Sequence, residues 1–271
     1  EIVLCDWSSD VCSSDLEEFE ADMQTAKDAG ILPMMTYAKD GGTSFVFQAL
    51  MANNSSAEDV QNWILQKSGT FDNQAAQDAA STLQDWNNKG YMPEGVNAVD
   101  ASTALSRFCN GEGLFFPSGN WNLDTVAKAL GDDVQFFAFP GATSEDEPNV
   151  AANAGAFYGI PVNAKNRDAA AAFLDYTQSA EAQQIIVDNS GYLPKSSTLD
   201  LKANSALQQS MFDAYADVLT SGHTSDFINN ATAGMQSSGL IPNFQLLLDN
   251  SITPQEFTKN VQAQYDKEAK R

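Results

Sequence analysis

The pentapeptide Ser-Gly-Asn-Trp-Asn at residues 118–122 combines groups that could bind a small molecule. Trp121 offers a large aromatic face, and Asn120 and Asn122 place amide donors and acceptors on either side of it. Gly119 lets the chain turn tightly and brings the backbone near a ligand. A ligand with apolar ring faces and a rim of hydroxyl groups would use all of these groups. Two alternatives stay open, namely Trp121 as an ordinary core residue and Asn122 as a helix cap.

A second group of candidates follows the apolar segment 31–37, which is predicted to be a strand. Asp40 and Gly42 would lie in a loop at its carboxyl end, where α/β sheets present binding groups. Asp40 could accept hydrogen bonds from ligand hydroxyls, or it could be a solvated turn residue. Phe45 could be a second stacking ring, or the first core residue of the next helix.

Signatures of catalysis are missing from the sequence. His223 is the only histidine, and no G-x-S-x-G elbow, phosphate-binding glycine loop or dinucleotide fingerprint is present. No C-x-x-C pair occurs among the three cysteines, which are Cys5, Cys12 and Cys109. The acidic runs at 132–133 and 145–147 have the composition of solvated loops rather than of a glycosidase pair. The sequence therefore predicts no catalytic residue, no metal site and no cofactor.

The composition is that of a folded, strongly acidic chain. Hydrophobic residues make up 43% and charged residues 18% of the chain, which fits a packed globular body. Its 271 residues could form one large domain or two modest ones. The net charge of -22 repels phosphate backbones and anionic lipid headgroups, so nucleic acid is excluded as a partner. No run approaches the ~18 apolar residues of a membrane span.

Apolar periodicity predicts helices that alternate with isolated buried strands, which indicates an α/β chain. The predicted helices are 17–29, 45–51, 73–89, 101–110, 123–130, 168–177, 181–189, 207–219, 242–248 and 253–270. The predicted strands are 31–37, 113–117, 134–140 and 155–162. The polar stretch 52–72, which carries Trp63, is predicted to be lid-like, and Trp86 is predicted to be structural.

The first sixteen residues differ in composition from the rest of the chain. Ser-Ser-Asp-Val at 8–11 is echoed by Ser-Ser-Asp-Leu at 13–16, a spacing too short for a structural repeat. The string VCSSDL resembles a translated sequencing adapter, so we predict that residues 1–16 are non-native and head a truncated reading frame. A genuine polar arm is the alternative.

Four blocks carry a resemblance to a known family. They are EEFEADMQTAKDAGILPM at 17–34, RFCNGEGLFFPSGNWNL at 107–123, VQFFAFPG at 134–141 and the run from GAFYGIPV to GYLPK at 155–195. Together they resemble the maltose-binding-like family of extracytoplasmic sugar-binding proteins, the receptors of bacterial ABC importers. Leu114-Phe115 and Val162-Asn163 depart from the family's usual Ala-Met and Pro-Lys pairs.

The resemblance implies a periplasmic-binding-protein-like two-lobe α/β fold (type II) that closes around its ligand. Mapped by order, residues 17–153 and 203–271 would form the C-terminal lobe, whereas 154–202 would be a remnant of the N-terminal lobe with the hinge crossings. The N-terminal lobe would be largely missing. The apolar faces of the remnant would then be partly exposed.

The resemblance also implies a function. The protein would capture a mono- or oligosaccharide as a monomer and deliver it to the permease subunits of an ABC transporter, without being an enzyme. It would be a cell-surface lipoprotein or a periplasmic protein whose export signal is lost by truncation. The alternatives are a receptor for a non-sugar solute, such as a polyamine or a peptide, or a secreted carbohydrate-active enzyme.

The same resemblance assigns site residues. Trp121 matches the tryptophan that stacks on sugar in the family. Asn153, Ala154 and Gly155 would suit a hinge, and Phe157 and Tyr158 could edge the cleft there. A buried strand with an inward-facing ring is the alternative for those last two residues.

Overall fold

A computed structural model describes residues 2–6, 15–146, 148–152, 158–190, 200–221 and 223–269. Eleven α-helices lie in this part of the chain: α1 Leu16–Asp28, α2 Thr43–Asn53, α3 Ala57–Ile64, α4 Gln74–Asn88, α5 Ala101–Cys109, α6 Leu123–Leu130, α7 Arg167–Tyr176, α8 Ala180–Asn189, α9 Ala206–Ser221, α10 Ile241–Leu248 and α11 Pro254–Glu268. The strands are β1 Ile2–Asp6, β2 Val134–Ala138, β3 Val150–Ala151 and β4 Thr224–Ser225. A π-helical segment, Met235–Leu240, precedes α10.

The helices follow the predicted pattern because their ends are encoded locally. Asn73 caps α4 by accepting a hydrogen bond from Ala76 N, and Asp100 caps α5 through Thr103 N. Thr253 and Glu256 form a reciprocal capping box at the start of α11, where Pro254 takes the first helical position. These helix starts are therefore fixed by residues within one turn of the boundary.

The prediction that residues 52–72 form a lid-like stretch is wrong. Ser56 caps a further helix there, α3, by accepting a hydrogen bond from Asp59 N. Trp63 on this helix is only 4% exposed and stacks on Tyr265, with ring centroids 4.7 Å apart. The amphipathic face of α3 therefore packs into the core rather than covering a cleft.

The predicted strands 31–37 and 113–117 form no ladder. They meet at a single parallel bridge between Met34 and Phe115, supported by Met35 N donating to Phe115 O at 2.7 Å. Pro33 and Pro117 lack the N–H groups that a longer ladder would use, which limits the pairing. The short contact still brings the two loops that follow these segments to the same side of the fold.

Two small two-stranded sheets lie in the part of the chain that the structure describes. Val150 pairs in parallel with Thr224 and Ala151 with Ser225, so β3 and β4 lie side by side. β1 pairs antiparallel with β2, from Ile2 opposite Ala138 to Asp6 opposite Val134. An open sheet edge accepts a β-prone segment of any origin, so the non-native origin of residues 1–16 stays a prediction. The predicted strand 134–140 is confirmed as β2, which ends two residues before Pro140.

Aromatic side chains dominate the main core. Phe19 of α1 is fully buried, with its ring centroid 4.5 Å from Phe115 and 5.2 Å from Phe139. Trp86 of α4 completes this group and donates from Nε1 to Glu20 Oε1 at 2.8 Å. Trp86 is therefore structural, as predicted.

Residues 158–190 contrast with this core. No residue of α7 is buried, although the helix carries Phe173 and Tyr176. Five large apolar side chains of this segment are 46–79% exposed: Tyr158, Val162, Phe173, Tyr176 and Ile185. The predicted partial exposure of this segment is observed. The predicted strand 155–162 is absent from its described part, residues 158–162.

No helix within the described ranges is both long and apolar enough to span a membrane.

A pair of matched truncations separates core from surface. We expect Phe19→Ala to lower the free energy of unfolding by about 3–5 kcal/mol, because it removes a ring that packs on three others. Phe173→Ala removes the same atoms from a side chain that is 64% exposed, and should change it by less than about 0.5 kcal/mol. Urea unfolding followed by circular dichroism measures both, and equal losses would contradict this packing.

The capping box of α11 predicts a pH dependence. Hydrogen bonds from Thr253 N and Oγ1 to Glu256 Oε2 lower the pKa of Glu256 in the folded state. This stabilisation is present above the unfolded pKa of about 4.3 and is lost as the pH falls through the lower folded value. Glu256→Gln keeps a capping amide without the charge, so its urea midpoint should fall less than that of the parent between pH 6 and pH 3. Parallel pH profiles would refute this.

Candidate functional site

Trp121 is presented at the surface of the fold. It lies on a short 3-10 helix, Asn120–Asn122, between the segment bridged to Met34 and helix α6. Its side chain is 43% exposed, whereas Trp63 and Trp86 are 4% and 0% exposed. Trp121 is therefore not an ordinary core residue.

Gly119 makes room for the indole of Trp121. A Cβ atom at Gly119 would lie 2.2 Å from a carbon of the six-membered ring, so the ring folds back directly over the glycine. The φ angle of Gly119 is -129°, which any residue can adopt. Glycine is thus required here for close packing and not for the tight turn that the sequence suggested.

Two phenylalanines lie against Trp121. The centroid of Phe45 is 5.5 Å from that of Trp121, and the centroid of Phe227 is 6.2 Å from it. Phe45 and Phe227 are 5.9 Å apart in an edge-to-face arrangement. We call Phe45, Trp121 and Phe227 the aromatic cluster. Both phenylalanines are partly exposed, so the cluster lies at the surface.

Phe227 is a member of the cluster that the sequence pattern does not predict. It lies in an irregular segment between β4 and a short 3-10 helix, far along the chain from the other two rings. The tripeptide Ser-Asp-Phe has no periodicity that would mark it as a site residue. The only local indication is an aromatic residue just after a short β-prone segment.

The amides beside Trp121 have different environments. Asn122 Nδ2 donates to Ser118 Oγ at 2.9 Å, which closes the short loop around Gly119. Asn122 occupies the cap position of α6, but its side chain makes no capping hydrogen bond. Asn120 is partly exposed at the start of the 3-10 helix. Ligand binding by these two residues stays a prediction.

Asp40 and Gly42 have structural contacts. Asp40 Oδ2 accepts a hydrogen bond from Ala101 N at 2.9 Å, which ties the loop to the start of α5. Gly42 is buried, and a Cβ atom there would lie 2.4 Å from the ring of Tyr37. Burial, with a smaller contribution from the Asp40 charge, raises the pKa of Tyr37 to about 12. These contacts account for both residues without a ligand, and their binding role stays a prediction.

The predicted hinge residues are described only in part. Tyr158 is 69% exposed, so it is not the inward-facing ring of a buried strand. Asn153, Ala154, Gly155 and Phe157 lie outside the described residues. Within the part of the chain that the structure describes, no group of three or more His, Cys, Asp or Glu side chains could hold a metal ion.

The fold matches solved structures of solute-binding proteins. A chitin oligosaccharide binding protein superposes with a TM-score of 0.82 at 18% identity, covering 98% of this chain and 68% of that one. The bacterial solute receptor AcbH, described with an exclusive preference for β-D-galactopyranose, has a TM-score of 0.77 at 17% identity, covering 98% and 69%. RafE in complex with raffinose has a TM-score of 0.75 at 13% identity, covering 98% and 70%.

These likenesses establish the fold, a periplasmic-binding-protein-like architecture of which the chain spans about 70% of the length. No curated protein matches the chain by sequence. A family model, described as bacterial extracellular solute-binding protein, matches residues 12–212. The chain therefore belongs to the bacterial extracellular solute-binding protein family, whose members are transport receptors and not enzymes.

Proposed function

We propose that this protein captures a neutral mono- or oligosaccharide outside the cytoplasm and delivers it to the permease subunits of an ABC transporter. The observation that carries the proposal is the partly exposed indole of Trp121, held in place by Gly119 and by two phenylalanines. A core tryptophan would be covered, whereas this ring keeps 43% of its surface open to a ligand.

The chemistry around the ring suits a sugar. A pyranose has apolar C–H faces that stack on an aromatic platform, and hydroxyl groups that pair with amides at its rim. Asn120 and Asn122 flank Trp121 in the chain and can supply those amides. The two phenylalanine rings fix the platform, so little side-chain entropy remains to be lost on binding.

The charge of the chain favours a neutral sugar over a sugar acid or sugar phosphate. The net charge of -22 gives a field that repels anions. The ligands in the descriptions of the related structures, a chitin oligosaccharide, β-D-galactopyranose and raffinose, are neutral sugars. A polyamine is the alternative that the same field would attract.

The lobe assignment is part of the proposal. Helix α9 packs on β2, and Ser210 Oγ accepts a hydrogen bond from Phe136 N at 3.2 Å, which supports one lobe made of 17–153 and 203–271. β3 comes just before residues 154–202 and pairs in parallel with β4, which comes after them. We propose that the receptor is monomeric and works as a cell-surface lipoprotein or in the periplasm.

Trp121→Ala tests the sugar platform directly. We expect about 1–3 kcal/mol of binding free energy to be lost, or about 5–150-fold in affinity, because the apolar stacking surface is removed. Saturation-transfer difference NMR on the 271-residue chain, with neutral sugars, uronic acids and spermidine as probes, measures binding into the millimolar range.

Tyr176→Ala is the matched control, since Tyr176 is an aromatic residue of similar exposure, 46%, on helix α7. It should leave sugar binding unchanged. Two results would overturn the proposal. One is binding of spermidine and of no sugar, and the other is sugar binding that survives Trp121→Ala in a folded chain.

Gly119→Ala tests the seat of the indole. The added methyl would overlap the ring at 2.2 Å and displace it from the phenylalanines, so sugar affinity should fall about tenfold and the Trp121 emission should shift. Gly159→Ala is the control, because a Cβ atom there would meet no heavy atom within 4 Å. Equal binding by the two variants would contradict the close packing at Gly119.

A further inference from the structure

Gln48 is a buried polar residue in the middle of helix α2. It is 2% exposed, on a helix whose other buried side chains are mostly apolar. A buried carboxamide is costly unless its donors and acceptor find partners. The partners of Gln48 therefore show why a polar residue stands at this position.

The hydrogen bonds of the Gln48 side chain go to one short segment, residues 225–228. Nε2 donates to Ser225 Oγ at 3.0 Å and to the Asp226 carbonyl oxygen at 2.7 Å. Oε1 accepts a hydrogen bond from Ile228 N at 2.9 Å. The Gln48 side chain thus binds the chain on both sides of Phe227.

The same helix supplies the ring that Phe227 meets. Phe45 lies three residues before Gln48 on α2, so the two side chains project from neighbouring positions of one helix face. Gln48 fixes the backbone around Phe227. Phe45 contacts the ring of Phe227, with the two ring centroids 5.9 Å apart. Gln61 of α3 adds to this hold by accepting a hydrogen bond from Asp226 N at 2.6 Å.

Apart from the buried side chain of Ile228, this segment has little support from regular backbone pairing. β4, just before Phe227, is only two residues long and pairs with the equally short β3. A two-residue ladder supplies few backbone hydrogen bonds to fix the chain that follows. The side-chain bonds from α2 and α3 therefore act together with the burial of Ile228 to hold Phe227 against Trp121.

We propose that Gln48 is a positioning residue for ligand binding, because it sets Phe227 against Phe45 and Trp121 and so completes the aromatic cluster. The proposal rests on the sugar-binding function proposed for that cluster. Gln48 itself is buried and does not touch the ligand. Its effect on affinity passes through Phe227.

The first measurement needs no ligand. Gln48→Met keeps the length of the side chain and removes its hydrogen bonds, which frees the segment 225–228. The fluorescence of Trp121 is obtained by subtracting the spectrum of the same chain carrying Trp121→Phe. The acrylamide quenching of this difference signal should be about twofold stronger in Gln48→Met than in the parent chain. Unchanged quenching in Gln48→Met would overturn the positioning role.

Gln208→Met is the matched control. Gln208 is 1% exposed and also bridges backbone groups, since Nε2 donates to Val187 O at 3.0 Å and Oε1 accepts from Asn204 N at 2.8 Å. It should lower the urea midpoint as Gln48→Met does, but leave the quenching of Trp121 unchanged. An equal rise in quenching in both variants would reduce Gln48 to a general stabilising residue.

The second measurement is a double-mutant cycle on sugar affinity with Phe227→Leu. Gln48→Met should weaken binding about tenfold in the parent chain and have no further effect once Phe227→Leu is present. Additive losses would overturn the proposal. If Gln48→Met does not fold, Ser225→Ala removes the 3.0 Å contact with little change in volume and should act in the same direction to a smaller extent.

The two readouts separate this inference from the proposed function. A chain that binds none of the sugars, but in which Gln48 controls the quenching of Trp121, would refute sugar binding and leave the assembly of the cluster standing. A chain that binds sugar equally well with and without Gln48 would refute the inference alone.

Discussion

The burial of helix α2 on nearly all sides is the constraint on which the rest of the structure depends. Nine of its eleven residues are buried, so every element around it must fit its surface. Phe47 packs on Phe71, Phe244 and Phe257, which come from three separate parts of the chain. A helix enclosed in this way becomes the fixed reference for loops that have little regular structure of their own.

The start of α2 shows how closely its neighbours are fitted. Gly42 lies under the ring of Tyr37, and Asp40 in the same loop bonds to the first turn of α5. The loop between Tyr37 and α2 is therefore tied to its neighbours and is not a flexible edge of a cleft. Phe45 lies in the first turn of α2, and its ring packs on Trp121 in the aromatic cluster.

Surface charge contributes little to this organisation. The described ion pairs, such as Lys39 with Asp100 and Lys128 with Asp124, are largely exposed, and such pairs are worth about 0–1 kcal/mol each. The excess of 36 acidic over 14 basic residues instead leaves a field of one sign around the molecule. Stability must come from the aromatic core, while the charge bears on solubility and on which ligands are admitted.

The sequence by itself determined the features whose causes are local. Helix starts follow from caps such as Ser179 and Thr253, since a cap and its N–H groups lie within one turn. The family resemblance followed from contiguous blocks, and Trp121 could be singled out because Gly119 and two asparagines stand beside it.

Only the tertiary structure decided which distant residues meet. Phe227 and Gln48 are separated by about 180 residues, and no period in the sequence links them. The apolar segments 31–37 and 113–117 predict strands, but they meet at a single bridge because prolines limit their pairing. Asp40 acquired a backbone partner 61 residues away that its loop could not reveal. Short-range propensity sets the elements, but the contacts between buried faces are long-range and are fixed only when the chain packs.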